Sequence, residues 1–359
     1  MTRRILIIMN DFGTGGVQRL VINTATEMIN RGIDVHILTL KGEKKDTLIR
    51  ENPVKPRNFK YIEFGSLLNI ISWLRVWYYI FKLKPDTVMT QMWMANTVGR
   101  VSSYLAGVKK IIIFEQNVYD TVKSKKLYFL DSIMQYLGNP IVASSPAVVD
   151  SLIRHGIKKE KIRLIYNGVA IPKELKDKDL EFKKILGINQ DTFVYINVAR
   201  YVEQKAIDII LKAFAKTDTD SILLLVGWGP EEAKLKKQAE QLKITDRVKF
   251  LTGRSDVQAL FNISDVFLLP SRYEGFSIAL LEAMANRKPI IISDFEAGKQ
   301  VIQNETSGLV VKIEDIDGLT TALNRMHFDQ ELREKLASNA KIKVEDYGIV
   351  KYVDKLLAL

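Results

Sequence analysis

Two glutamates with seven residues between them, Glu274 and Glu282, stand in the stretch Ser271–Arg272–Tyr273–Glu274–Gly275–Phe276–Ser277–Ile278–Ala279–Leu280–Leu281–Glu282. The apolar run Val266–Leu269 just before it predicts a strand, and Ser277 predicts the cap of a following helix. Glu274 is therefore expected in the loop at the strand's carboxyl end and Glu282 about one turn into the helix. A carboxylate in either place can accept charge-assisted hydrogen bonds from a vicinal diol, which suits a hydroxyl-rich ligand. Spacing alone leaves both equally open as solvated surface residues.

A second cluster, Val198–Ala199–Arg200–Tyr201–Val202–Glu203–Gln204–Lys205–Ala206–Ile207–Asp208, also lies between a predicted strand and a predicted helix. Arginine offers a planar fork and lysine a point charge, so Arg200 and Lys205 together suit a diphosphate; the alternative is an ordinary exposed basic pair. A third is the loop Asn10–Asp11–Phe12–Gly13–Thr14–Gly15–Gly16–Val17–Gln18–Arg19 after the first apolar run. Strand, glycine-rich loop and helix N-terminus present N–H groups and a positive dipole end to an anion. The dinucleotide fingerprint would need glycine at Gln18, and the loop is not a Walker A sequence. A tight turn using glycine for its backbone freedom is the competing reading.

Positioning these loops requires a scaffold, and the composition supplies one. With 359 residues, 47% hydrophobic and 26% charged, the chain is globular and long enough for two domains. The absence of cysteine excludes disulfides, iron–sulfur clusters, thiolate zinc sites and a cysteine nucleophile. His36, His155 and His327 are widely spread, so no histidine-rich metal site is expected and catalysis must lean on carboxylates, Lys, Arg and backbone. The apolar run Ile5–Met9 is too short for a signal-peptide core, and Pro140 and Pro146 interrupt the longest uncharged run, Ser132–Val149. A cytoplasmic protein that does not cross a membrane is the simplest reading.

Strand-like runs at Ile5–Met9, Val35–Leu40, Thr87–Thr90, Lys110–Phe114 and Ile141–Ala143 alternate with helix-like segments, and Phe193–Val198, Ser221–Val226, Val248–Leu251, Val266–Leu269 and Pro289–Ser293 repeat the theme. Buried strands separated by helices predict an α/β chain of two parallel, Rossmann-like domains facing across a cleft, with ligands at the carboxyl ends of the strands. The turn-rich stretch Tyr166 to Lys173 places the boundary. Residues 1–170 form the first domain and 171–345 the second, Lys173–Lys184 opening the latter as a polar helix. Residues 346–359 form an amphipathic helix, with Ile349, Val350, Val353, Leu356 and Leu357 at helical spacing, that packs back on the body.

Charge is uneven. Residues 1–172 hold 25 Lys and Arg against 13 Asp and Glu, a net of +12, whereas residues 173–359 hold 28 against 29, a net of −1. Such asymmetry points to an anionic partner for the first half or to a solvated basic face. Leu67–Leu83, rich in Trp, Tyr and Ile, reads as a helix packed against the first sheet, with an interfacial membrane helix as the sharper alternative. Lys44, Lys45, Lys55, Arg57, Lys60, Lys109, Lys110, Lys123, Lys125 and Lys126 can supply attraction to anionic lipid.

The ordered set of motifs resembles the retaining glycosyltransferases of family 4, which have the GT-B fold. The residues carrying the likeness are PSRYEGFSIALLEAMA with its Glu274 and Glu282, NVARYVEQKAIDIILKAF around Arg200 and Lys205, VGWGPEEAKLK, DVQALFNISDVFLLP and the N-terminal GTGGVQR. It runs from residue 3 to about residue 357. The resemblance implies that Glu274 lies beside the donor sugar and that Glu282 holds ribose hydroxyls. It implies further that Arg200 and Lys205 neutralise the donor diphosphate as charge grows on it. By the same likeness, the peptide groups of Gly275, Phe276 and Ser277 approach the sugar, Gly15 and Gly16 lie under the phosphates, and Gly253 and Arg254 belong to the loop against which the base packs. It also implies a metal-independent reaction without a cofactor, in which the leaving phosphate helps to take the acceptor proton in a front-face displacement.

The sequence departs from the family pattern on the acceptor side. Many relatives carry a histidine after the strand that here ends Ile113–Phe114, where this chain reads Glu115–Gln116–Asn117; Gln116 takes that place and cannot shuttle a proton. Ala199, Ala206 and Arg287 stand where glycine is common, Gln300 where an acid is frequent, and Trp228 where a small acidic residue is usual. The leading reading is transfer of a hexose or N-acetylhexosamine from a nucleotide-diphosphate sugar to a saccharide or lipid-linked acceptor in bacterial-type polysaccharide or glycoconjugate synthesis. A UDP-sugar is favoured by frequency in the family rather than by a residue. A nucleotide-sugar 2-epimerase of the same architecture is the alternative, although the motif order fits transferases better. A non-catalytic protein binding an anionic surface would explain the basic first half but not the neutral second half with its glutamate pair. No nucleic-acid partner is expected, and the inner face of the cytoplasmic membrane is the surface on which the basic half would sit.

Overall fold

The computed structural model describes residues 3–13, 15–41, 58–118, 125–172, 180–217 and 219–359, with side chains from 127 onward in the fourth of these stretches. Thr14, Lys44, Lys45, Lys55, Arg57, Lys123 and the first part of Lys173–Lys184 lie outside the described residues, as do the side chains of Lys125 and Lys126. Two compact units divide the chain, Met1–Gly168 with Ile349–Leu359, and Val169–Gly348.

The first unit holds seven strands: β1 (Arg4–Met9), β2 (Asp34–Thr39), β3 (Phe59–Tyr61), β4 (Thr87–Gln91), β5 (Lys110–Glu115), β6 (Ile141–Ala143) and β7 (Ile162–Leu164). They form one sheet in the order β3-β2-β1-β4-β5-β6-β7, every pair parallel. Leu6 and Ile8 pack with Val76 and Ile80 of the helix Ile70–Leu83 and with Ala95 and Val98 of the helix Trp93–Leu105. The alternate residues Ile5, Ile7 and Met9 are just as buried, so the sheet is covered on both faces, each large side chain withdrawn from water contributing about 1.5–3 kcal/mol. The final helix, Ile349–Leu357, packs on the helix Gly16–Asn30, and Arg31 ties the two by donating to Asp354 Oδ1 (2.5 Å) and to Val350 O (3.1 Å). Its buried face is Tyr352, Val353 and Leu356, whereas Val350, counted with the apolar face from sequence, is exposed.

The second unit holds β8 (Phe193–Val198), β9 (Ser221–Val226), β10 (Val248–Leu251), β11 (Val266–Leu269), β12 (Ile290–Ser293) and β13 (Leu309–Val311), all parallel in the order β10-β9-β8-β11-β12-β13. Its core takes in two fully buried tyrosines, each satisfied by a backbone carbonyl: Tyr195 OH donates to Leu323 O (2.8 Å) and Tyr201 OH to Leu225 O (2.6 Å). Burial pushes both phenols well above their ordinary pKa.

The chain therefore has the fold expected from its β/α alternation, two Rossmann-like sheets with interleaved helices and a C-terminal helix returned to the first unit. Three strands were not foreseen, β3, β7 and β13. Each has three residues and lies at the edge of its sheet, too short for a period to show and covered on fewer sides than a central strand. Among the described residues no helix is long and apolar enough to cross a membrane.

Candidate functional site

In the second sheet the strand order reverses between β8 and β11, which lie side by side with Tyr195 opposite Val266 and Ile196 opposite Phe267. Chain leaving one goes to β9 and chain leaving the other to β12, so the loops after these two strands open a crevice at their carboxyl ends. Buried Asn197 on β8 reinforces the seam by donating to Leu268 O (2.8 Å). Arg200 and Lys205 stand on the first of these loops, Glu274 on the second.

The structure brings Lys205 and Glu274 together. Lys205 Nζ lies 2.5 Å from Glu274 Oε1, with side-chain exposures of 15% and 6%. Ser271 Oγ donates to the same oxygen (2.8 Å), Gln204 Nε2 reaches Oε2 (3.5 Å) and Tyr273 O (2.9 Å), and Ser293 Oγ at the end of β12 donates to Ser271 O (2.5 Å). These contacts aim the carboxylate while leaving it acceptor capacity for further partners. Arg200 is exposed, and its side chain has no partner among the described residues, so its full fork is available.

The loop bearing Arg200 is held from below by the turn Gly227–Trp228–Gly229. Tyr201 N donates to Trp228 O (2.9 Å) and Glu231 N to Tyr201 O (3.1 Å). A Cβ on Gly227 would fall 1.8 Å from Ala199 O and one on Gly229 2.3 Å from Tyr201 O, so only glycine permits this approach. Two of the departures from the family's glycines fall at left-handed positions, Ala206 (φ 51°) and Arg287 (φ 52°).

Ser277 caps the helix Ile278–Ala285 as its sequence position predicts, accepting from Leu280 N (3.3 Å). Gly275 and Phe276 are buried, the Phe276 ring centre 5.6 Å from that of Tyr347, and Glu282 is half-buried on the helix. Gly253 is exposed with φ 69° in the turn after β10, where Arg254 Nε donates to Asp256 Oδ1 (2.7 Å), so this arginine is engaged within its own loop.

The remaining candidates lie in the first unit. Gly15 is the N-cap of the helix opened by Gly16 and brings no side-chain cap; Asp11 Oδ1 closes the turn by accepting from Gly13 N (3.0 Å) and Gln18 Nε2 (3.2 Å). Glu115 ends β5 and is buried, accepting from Asn96 Nδ2 (3.1 Å), which also donates to Phe114 O (3.0 Å). Gln116 follows with its side-chain amide oxygen buried and without a hydrogen-bond partner among the described residues, and Asn117 is exposed.

Sequence reasoning did not single out Gln204, Ser271, Arg272, Asp208 or Asn96, all of which touch candidate residues or the loops that carry them. Arg272 and Ser271 stood inside the quoted motif, and their adjacency to Glu274 was the available signal. Gln204 and Asp208 likewise stood inside the stretch quoted around Arg200 and Lys205, whereas Asn96 acts across the fold and had no such signal.

Comparison with known proteins gives these positions a family. The model named Glycosyltransferase Family 4 matches residues 14–171, and that named Glycosyl transferases group 1 matches residues 178–343. The chain is 26% identical over 371 aligned positions to the UDP-Gal:alpha-D-GlcNAc-diphosphoundecaprenol alpha-1,3-galactosyltransferase of Escherichia coli, covering 95% of this chain and 92% of that protein. It is 32% identical over 204 positions to the N-acetyl-alpha-D-glucosaminyl L-malate synthase of Bacillus anthracis, covering 55% and 54% of the two chains. Its fold matches HepE of Anabaena, whose crystal structure holds UDP and glucose, with a TM-score of 0.87 over 99% of this chain and 98% of that one at 20% identity. With both units matched in order and the paired sheets of the GT-B fold in place, the chain belongs to the glycosyltransferases of family 4.

Proposed function

We propose that the protein transfers a hexose or N-acetylhexosamine from a UDP-sugar to a saccharide or lipid-linked acceptor, with retention at the anomeric carbon and without a metal. The observation that carries this reading is the meeting of Lys205 and Glu274 at the switch point of the second sheet, on whose β8 loop Arg200 stands exposed with no side-chain partner among the described residues. Departure of a nucleoside diphosphate concentrates negative charge on its phosphates. Fixed cations stabilise that charge more in the transition state than in the ground state. In this reading Arg200 and Lys205 take the diphosphate, Glu274 and the peptide groups of Gly275, Phe276 and Ser277 take the sugar, and Glu282 takes the ribose. Gly253 and Arg254 border the base, Gly15 and Gly16 face the phosphates, and Glu115, Gln116 and Asn117 serve the acceptor side. The diphosphate itself accepts the acceptor proton.

The choice of acceptor draws on the helix Ile70–Leu83. Asn69 caps it, accepting from Ile71 N and Ser72 N, yet the buried residues are Ser72, Val76 and Ile80, while Leu68 (94% exposed), Ile70 (71%), Ile71, Leu74, Tyr78 and Phe81 face outward. A helix with its apolar side turned to water and Arg75, Lys82 and Lys84 beside it suits the interface of an anionic bilayer, where a lipid-linked saccharide would be presented. The relative from Escherichia coli acts on a diphosphoundecaprenol-linked sugar. The reading is tested by thermal shift with UDP-, GDP- and ADP-sugars, followed by assay of nucleotide release. Stabilisation by UDP-sugars and release that rises with acceptor support it; release of UDP without transfer to any acceptor supports an epimerase-like reaction instead.

A further inference from the structure

Arg272 sits two residues before Glu274 and reaches three segments of the second unit. Its NH1 donates to Glu203 O (2.5 Å) and Asp208 Oδ1 (3.1 Å), its NH2 to Asp208 Oδ2 (3.2 Å), its Nε to Glu314 Oε1 (2.8 Å), and its backbone N–H to Gln204 O (2.9 Å). A guanidinium has five N–H bonds. Four are already directed at protein oxygens, so this arginine is not a ligand-binding one, in contrast to Arg200.

Its partners bracket Lys205. Glu203 and Gln204 precede it in a single 3₁₀ turn, Ala206 follows in the left-handed region, and Asp208 opens the helix Ile207–Ala215, its carbonyl held by Gln238 Nε2 (2.9 Å). The lysine loop is thereby fastened to the glutamate loop through the Arg272 side chain and its backbone N–H. A planar fork is needed for this: a lysine at 272 supplies the charge but cannot bind Asp208 through two nitrogens and reach Glu314 with a third.

We propose that Arg272 is a positioning residue that couples the two loops, fixing where Lys205 stands and so the grip on the terminal phosphate of the bound nucleotide. The proposal rests on the donor-site reading given above. Isothermal titration with UDP and with UMP separates the two, because UMP lacks the second phosphate. Arg272→Gln should weaken UDP about 10-fold, the lower end of what an outer partner of a binding group costs, and leave UMP unchanged. Lys205→Ala should weaken UDP, and adding Arg272→Gln to it should weaken UDP no further, since the arginine acts through the lysine. Arg272→Lys should behave as Arg272→Gln. Asp208→Asn removes the same coupling with little change of shape and carries the same expectation if Arg272→Gln fails to fold. A weakened Lys205→Ala beside an Arg272→Gln that is normal, additive, or equally damaging to UMP overturns the coupling alone. Unchanged UDP affinity in Lys205→Ala overturns the donor-site reading and the proposal with it.

Discussion

The ammonium of Lys205 and the carboxylate of Glu274 form an ion pair at 2.5 Å across the switch point of the second sheet, largely withdrawn from water. Removing one partner strands the other. Glu274→Gln leaves a buried cation and should cost about 2 kcal/mol of stability, below the ~3–5 kcal/mol of a fully buried pair because Lys205 retains some exposure. Replacing both, Lys205→Met with Glu274→Gln, should recover most of that loss while remaining inactive. Chemical denaturation beside an activity assay separates the two effects; a double variant less stable than either single one would show that the pair is not the reason.

Lys205→Ala should lower kcat on the order of 10²-fold or more while changing the donor KM far less, since the charge it meets is largest in the transition state. Steady-state kinetics with a UDP-sugar decide this. Near-normal turnover would remove Lys205 from the chemistry.

If Arg200 and Lys205 neutralise the diphosphate, as proposed, the reaction should be indifferent to chelators. Among the described residues no three of His, Cys, Asp and Glu gather as a metal site. Transfer rates measured with and without EDTA should agree, and restoration by a divalent ion after a loss would contradict the reading.

The outward apolar side of Ile70–Leu83 predicts binding to vesicles containing anionic lipid, weakened by salt because each nearby Lys or Arg contributes about 1 kcal/mol of screened attraction. Ile71→Asp with Leu74→Asp should abolish co-sedimentation without unfolding the protein, as both side chains are exposed. Retention of binding in that variant would move the contact elsewhere.

Arg287 closes the helix Ile278–Ala285 in a Schellman arrangement, with Arg287 N on Met284 O (2.9 Å) and Lys288 N on Ala283 O (3.0 Å), at a φ of 52°. Arg287→Gly should raise stability by about 0.5–1 kcal/mol, less what is lost with the Arg287 NH2 bond to Ser338 Oγ (3.0 Å). Thermal unfolding measures the gain; a lowered midpoint would mean that this bond outweighs the backbone strain.

Central strands and the Ser277 cap were legible because each rests on local chemistry: a run of apolar residues, a side-chain oxygen facing free N–H groups. The Lys205–Glu274 pair was legible only as a shared region, since nothing in the sequence makes β8 and β11 neighbours except the crossover rule of parallel sheets. The pairing of Asn96 with Glu115 was not legible, because a buried polar residue declares its partner only once the chain is folded, and nor was the ion pair of half-buried Asp208 with Arg272. The helix Ile70–Leu83 was read as packed on the sheet from its apolar content. That packing holds through Val76 and Ile80, with Trp73, Tyr79 and Leu83 half-buried against the same core, while Ile70, Ile71, Leu74, Tyr78 and Phe81 of the same helix are exposed.

The most direct test of the donor site is a crystal structure with UDP bound. The terminal phosphate is expected against Arg200 and Lys205, with the ribose hydroxyls on Glu282. Density for UDP away from the loops that follow β8 and β11 would contradict it.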